Sequence, residues 1–446
     1  MIELQGKFGK DCKIFTNAIE NEAIGTIQNI LNNPVTTGVP VRIMPDTHQG
    51  VDIVIGFTMP VTDRVNPNHI GVDIGCGMLC VEIENAITEE SFPDINHAIR
   101  SIIPMGFEIN QQPLSKQEKE DLFTFLSIRM DQFCSKYQLT KPVINEEYVS
   151  QLCKKVGINE GTFYNSLGTL GGGNHFIELG RAESTNNIFL TIHTGSRNFG
   201  VKVCKYHAEI AKFDKKAFSN EIQRLKSTVE PQFMQTEILR LKEKFAEYSG
   251  YLTNEAMLHY LCDMVIAQGY AAFNRKLIIQ RIIRTLSWNA TISVETVHNY
   301  ISFDDMIIRK GAIAAYANDY VVIPMNMADG ILLCRGKGNK DWNYSAPHGA
   351  GRLYSRSEAK ERLSMDAFKT QMSKVYSTSV CEGTLDESPM AYKNVQEIKE
   401  LIEPTVEIIR YNCATNQYQK LYDRKDRLPI YSWRLCLNSK IIKVST

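Results

Sequence analysis

Short apolar runs bounded by glycine, proline and aspartate mark the first part of the chain, residues 1–80. VRIMP, VDIVIGFTMP and GVDIGCGMLCVEI are rich in β-branched residues between turn-formers. They predict short strands joined by glycine turns. The pattern changes over 113–160, where polar segments such as LSKQEKEDLFTFLSIRMDQF predict helices. Residues 161–200 return to glycine turns and strands, in FIELG and IFLTIHTGS. Helical spacing of apolar residues resumes over 201–285, in EIQRLKSTV, TEILRLKEKFAEY and MLHYLCDMVIAQGYAAFNRKLIIQRII, and predicts a helical insert. YVVIPMN and GILLCRG read as strands again, and SRSEAKERL as a helix. No internal repeat, low-complexity segment or Pro/Ser-rich linker separates these stretches. The expectation is one interleaved α+β domain over 1–410, with a tail at 411–446.

Composition narrows the class. At 446 residues, with 43% hydrophobic and 22% charged residues, the chain can bury a sizeable core. Its formal net charge is zero, so nucleic-acid binding would need a local basic groove. No run reaches the roughly 18 apolar residues that span a bilayer, and the N-terminal stretch does not read as a signal peptide. Eleven scattered cysteines, an odd number, fit a reducing cytoplasm better than a disulfide framework.

The chemistry lies in the histidines. Five of the nine sit in polar, glycine-flanked motifs: His48 in MPDTHQG, His175 in GGGNHFIEL, His193 in IHTGSRNFG, His298 in VHNY and His348 in SAPHGAGRLYSR. Asp73 and Cys76 lie in GVDIGCGM, where Gly71, Gly75 and Gly77 let the backbone wrap a small ligand. Taken singly, Cys76 reads as a small buried hydrophobe and each histidine as a core residue. Taken together, Asp73, Cys76, His175, His193 and His298 read as a metal site. Mixed O, S and N donors suit Mn, Fe, Co or Zn rather than a pure Mg or Ca cage, and five donors are enough for two ions sharing the thiolate. GGGNHF is not a phosphate-binding P-loop, because no Gly-Lys-Ser/Thr follows. HGAGR is closer to an anion cradle, with the N–H groups of Gly349 and Gly351 and the Arg352 guanidinium beside His348. It also reads as a helix-initiating turn. Arg356 and the pair Arg309–Lys310 add positive charge.

MPDTHQG, HIGVDIGCGM, GTLGGGNHFIEL, IHTGSRNFG, VHNY, RKGA, HGAGRLYSR and DESPMAYK follow one another from Met44 to Lys393. In that order they resemble the RtcB-type RNA ligases, in a divergent bacterial or phage-like branch. The resemblance implies a single catalytic domain of mixed and antiparallel sheets surrounded by helices. It implies a GTP- and Mn-dependent enzyme that joins RNA 3′-phosphate or 2′,3′-cyclic phosphate ends to 5′-hydroxyl ends, in RNA repair or tRNA splicing. His348 would take GMP from GTP and pass it to the RNA 3′-phosphate, and the 5′-hydroxyl would then expel it. Cys76 would bridge two Mn ions, with His193 and His298 completing one site and Asp73 and His175 the other. Asn174, Glu178, Asn326, Gly349, Gly351 and Tyr392 would meet the guanylate. Arg197, Arg309, Lys310, Arg352 and Arg356 would hold RNA phosphates, and Asp46 and His48 would stand behind the reacting groups. The resemblance leaves room for an activating protein partner and gives no role to a membrane.

Two departures stand out. Asn326 and Ile331 occupy positions where such ligases carry small hydroxyl residues, and the tail from 411 to 446, with Lys440 and Lys443, is unlike theirs. They keep two alternatives open: a metal-dependent phosphohydrolase or nucleotidyltransferase, and a non-catalytic RNA-binding protein.

Overall fold

The helix Asn254–Leu286 organises the molecule. It is apolar on nearly every side over residues 260–282, the pattern of a helix surrounded by protein rather than lying on a surface. One flank joins a core shared with the helices Lys116–Tyr137, Glu146–Val156 and Arg197–Ala211. The other joins a second core beneath the helix Phe92–Ile102. This computed structural model describes residues 1–182, 186–212, 215–247, 250–409 and 434–438.

Two sheets flank that helix. The first has six strands in the order Ile2–Leu4, Asp11–Ile14, Pro40–Ile43, Phe57–Pro60, Ile307–Lys310 and Asn299–Ser302. Its pairings are antiparallel apart from Asp11–Ile14 with Pro40–Ile43. The second is antiparallel throughout, in the order Ala290–Val297, Gly77–Ile83, Ile188–Thr194, Phe176–Arg181 and Arg434–Asn438. A three-stranded sheet, Tyr320–Pro324, Ile331–Gly336 and Val406–Ile408, covers a further small core. Strands and helices are interleaved along the chain, the α+β class expected.

Local departures from the expected elements have local causes. Of the run 51–60, only Phe57–Pro60 is a strand. Val51 is almost fully exposed, and Gly56 at φ +88° turns the chain before pairing begins. The stretch read as strands also holds the helix Asn21–Leu31, which buries Ala23, Ile27, Ile30 and Leu31 at helical spacing. Within the helical stretch 201–285, Lys215–Thr228 and Met234–Glu247 pack on each other, whereas Asn254–Leu286 belongs to the central core. Apart from the strand 434–438, the tail 411–446 lies outside the described residues.

Candidate metal and nucleotide site

Four potential ligands sit at one edge of the five-stranded sheet. Cys76 precedes strand Gly77–Ile83, His175 precedes Phe176–Arg181, His193 lies beside the end of Ile188–Thr194, and His298 follows Ala290–Val297. Neighbouring strands run antiparallel, so two beginnings and two ends coincide. Gly77 faces Thr194 on one side and Val297 on the other, and Phe176 faces His193. At His298 the chain crosses to the six-stranded sheet, and Asn299 pairs there with Lys310. The two sheets therefore meet at the ligand cluster.

The cluster is close and dry. The Cys76 Sγ lies 3.4 Å from His175 Nε2 and 3.3 Å from His193 Nε2. His193 Nε2 is 2.9 Å from His298 Nε2, and His175 Nε2 is 3.1 Å from the half-buried Asp73 carboxylate. The donor atoms of Cys76, His193 and His298 all fall within 4.8 Å of one another, as do those of Asp73, Cys76 and His175. His175 Nδ1 donates to the Leu170 carbonyl at 2.9 Å and His193 Nδ1 to the Asn174 carbonyl at 3.1 Å. A carbonyl only accepts, so each Nδ1 carries a proton and each Nε2 is the nitrogen turned toward the cluster. Burial and the neighbouring histidines hold His193 and His298 well below the usual imidazole range, in the neutral form that binds metal. Burial, then Asp73, pushes the Cys76 thiol up. Burial opposes ionisation of Asp73 as well, but hydrogen bonding and charge from His175 outweigh it and leave the carboxyl below its usual value. Bare inward donors of O, S and N type fit a borderline divalent cation, whose charge would reverse the penalty on the thiol.

Two residues that sequence reasoning passed over fix this edge. Arg275, fully buried in the central helix, donates to the carbonyls of Gly75 at 2.7 Å and Thr194 at 2.8 Å, next to Cys76 and His193. Asn274 accepts from the N–H groups of Gly168 and Thr169 and donates to the Thr169 and Gly195 carbonyls. The available signal was a polar Asn-Arg pair inside the apolar run GYAAFNRKLII.

Beside the cluster opens a cleft of about 1110 Å³, lined by Asp73, Cys76, Asn174, Glu178, His193, His298, Lys310 and His348 among others. That is roomy for a single nucleotide, since small-molecule pockets span roughly 300–1,000 Å³. His348 follows strand Ser345–Pro347, which pairs with Ala312–Ala314. Its ring lies 4.7 Å from that of His298, centroid to centroid. His348 Nδ1 donates to the buried Asp46 carboxylate at 2.7 Å, so Nε2 is the nitrogen left for chemistry. His48 also lines the cleft. Its Nδ1 bonds the Asp46 carbonyl at 3.0 Å, and burial lowers its pKa to about 4. The segment 348–351 is a bend and not a helix start. The helix begins at Arg356, capped by Ser355 and Glu358.

The lining also carries Arg352, Arg356, Glu387 and Tyr392. Arg356 bonds the buried carboxylates of Asp386, at 2.7 Å, and Glu387. Tyr392 donates its hydroxyl to Glu387, and Arg352 lies over its ring with the guanidinium 5.3 Å from the centroid. Arg352 also donates to the Asp386 carbonyl at 2.6 Å. Asn326 lines the cleft, yet its side chain caps its own turn, accepting from Ala328 and Asp329 N–H groups and donating to the Asp329 carboxylate.

Two expected phosphate ligands stand elsewhere. Arg309 is fully buried. It bonds Ser345 Oγ at 2.9 Å, the Asp305 carboxylate at 3.4 Å, the hydroxyls of Tyr300 and Tyr316, and the carbonyls of Asn343 and Tyr344. On strand Ile307–Lys310 adjacent side chains face opposite sides, so Lys310 meets the cleft and Arg309 the interior. Arg197 is not part of the cleft lining. It donates to Thr169 Oγ1 at 3.0 Å and the Gly106 carbonyl at 2.9 Å, and packs on Gly171 in the turn before His175.

Comparison with known proteins fits this geometry. The family model described as "tRNA-splicing ligase RtcB" matches residues 26–415. The protein named RNA-splicing ligase RtcB from Escherichia coli strain K12 is 28% identical over 390 residues, covering 83% of this chain and 87% of that one. The tRNA-splicing ligase RtcB of Aeropyrum pernix is 26% identical over 430 residues, covering 80% of this chain and 83% of its own. That of Nanoarchaeum equitans is 24% identical over 424 residues, covering 80% and 82%. Since the family match runs from before the first cleft motif to beyond the last, the chain belongs to the tRNA-splicing ligase RtcB family.

Proposed function

We propose that this chain is an RNA ligase that joins an RNA 3′-phosphate, or a 2′,3′-cyclic phosphate after its hydrolysis, to a 5′-hydroxyl end, using GTP. The observation that carries the reading is His348, held through Nδ1 by buried Asp46 at 2.7 Å, in a cleft shared with a Cys–His–Asp cluster. His348 Nε2 attacks the α-phosphorus of GTP. A P–N bond forms, the bond to pyrophosphate breaks, and Asp46 stabilises the positive charge that develops on the ring. An oxygen of the RNA 3′-phosphate then attacks the same phosphorus and regenerates the imidazole. Attack by the 5′-hydroxyl on the RNA phosphorus forms the new phosphodiester and releases GMP. Asn174, Glu178, Gly349, Gly351 and Tyr392 line or border the space for the guanylate, and Lys310 offers charge to the RNA.

Two Mn ions would suit the cluster, with Cys76, His193 and His298 as donors to one and Asp73, Cys76 and His175 as donors to the other. Bound there, they would neutralise phosphate charge. The test is covalent labelling. Wild type incubated with α-labelled GTP and Mn, then denatured, should carry an acid-labile guanylate that His348→Ala lacks. Metal-loaded protein that takes no label from any nucleotide would overturn the ligase mechanism and favour a phosphohydrolase or a binding protein. Equal labelling from ATP would remove guanine specificity from the proposal.

A further inference from the structure

Asp46 orients His348, but little beside its own backbone orients Asp46. One carboxylate oxygen, Oδ2, meets His348, and the other is buried without a hydrogen-bond partner. The direction of its side chain is therefore set by the peptide planes on either side. One residue holds the plane before Asp46 and the plane after Thr47, which bracket the aspartate. The Lys393 ammonium donates to the Pro45 carbonyl at 3.1 Å and to the Thr47 carbonyl at 2.8 Å, with the Ala18 carbonyl at 3.4 Å as a third acceptor. Three acceptors match the three N–H bonds of an ammonium.

The same residue also grips the turn that carries the histidine. Lys393 N–H donates to the Gly351 carbonyl at 3.0 Å, and Tyr392 forms a bridge with Arg352. Gly351 is in the left-handed region at φ +76°, where a methyl group would overlap the Asp46 carbonyl. The nucleophile turn, the Asp46 segment and Lys393 thus form three layers in contact, and Lys393 bonds both of the others.

We propose that Lys393 is a positioning residue, clamping the Asp46 segment against the His348 turn so that the imidazole is held with Nε2 toward the cleft. The inference rests on His348 being the nucleophile, and the test separates the two. Lys393→Met, Lys393→Arg, Asp46→Asn and the double variant Asp46→Asn/Lys393→Met are compared in the full chain. Two readouts are taken: the single-turnover rate of guanylate labelling at saturating GTP, and the far-downfield proton resonance of the His348 Nδ1–H bonded to Asp46.

Lys393→Met should slow labelling by about 10²-fold, the cost of a misplacement on the order of 1 Å. The GTP concentration for half-maximal rate should hardly move, because the lost interaction orients rather than binds. Lys393→Arg, which keeps the cation and its donors, should recover part of the rate. The double variant should be no slower than Asp46→Asn alone, since both changes break one unit. The resonance should be lost in Asp46→Asn and broadened or lost in Lys393→Met. A Lys393→Met protein with full rate and an intact resonance overturns the clamp, and so do additive losses in the double variant. If wild type takes no label, the nucleophile assignment falls, and the resonance alone decides whether Lys393 positions His348. If Lys393→Met fails to fold, Lys393→Arg and Lys393→Gln decide by the same readouts.

Discussion

The two walls of the cleft use polar residues in opposite ways. On the sheet edge, Cys76, His175, His193 and His298 turn donor atoms toward one another, and the other ring nitrogens of His175 and His193 bond main-chain carbonyls. Around Tyr392, Arg352, Arg356 and Glu387 of the lining and Asp386 behind them spend charge and hydrogen bonds on each other. Crowded O, N and S donor atoms gain from a shared cation. Compensated pairs gain less from a ligand and act as rigid surface, and Arg352 Nη1 is the donor there left without a hydrogen bond. Readiness for a ligand is thus written in missing partners, and arginine content by itself is a poor guide to phosphate binding.

Substitutions on each wall sharpen this contrast. Cys76→Ser should have the largest effect: if the proposed Mn site exists, elemental analysis should find most of the wild-type Mn uptake gone, while the metal-free chain keeps its stability within about 1 kcal/mol. Retained metal would remove the thiolate from both sites. On the other wall, Glu387→Gln should cost about 2–3 kcal/mol in denaturant melts, because half-exposed Arg356 loses one of its two carboxylate partners and Tyr392 its charged acceptor. An unchanged melt there would erase the distinction between the walls.

A smaller effect is expected away from both. His69 is buried edge-on to Phe57, and burial lowers its pKa to about 4. The unfolded chain takes up its proton near pH 6.5, the folded chain only near pH 4. Its stabilising contribution is therefore present above pH 6.5 and is lost as pH falls toward 4. About 2 kcal/mol should disappear between pH 7 and pH 5, at 1.36 kcal/mol per pKa unit. His69→Gln should flatten that part of the stability profile, and a profile unchanged by the substitution would contradict the assignment. The smallest change belongs to Lys310→Ala. Lys310 makes no ion pair among the described residues, so its loss should lower the salt-dependence slope of RNA binding by about 1, with Arg309→Lys leaving the slope unchanged.

Much of this was legible in the sequence because glycine-flanked histidines mark strand ends, where a chain turns and a side chain meets a cleft. The motif order from Met44 to Lys393 carried the family. What stayed hidden was direction. RKGA shows two cations, but only the strand Ile307–Lys310 sends Arg309 inward and Lys310 outward. That alternation was available once the segment was read as a strand. The partners that neutralise Arg352 and Arg356 come from the DESPMAYK segment about thirty residues on, a separation that no local pattern reports. Arg275 and Asn274 were masked by the apolar helix around them.

The bond between Asp46 and His348 spans 302 residues, and that between Thr47 and Lys393 spans 346. During synthesis at about 5–20 residues per second, Asp46 waits on the order of 15–60 s for its histidine. By then every donor from Asp73 to His298 has already been made. A growing chain can therefore assemble the ligand-bearing edge well before it owns an aligned nucleophile, and chains cut short before Lys393 would lack the last fastening. The order of manufacture places the reactive alignment last, when the rest of the machine is already built.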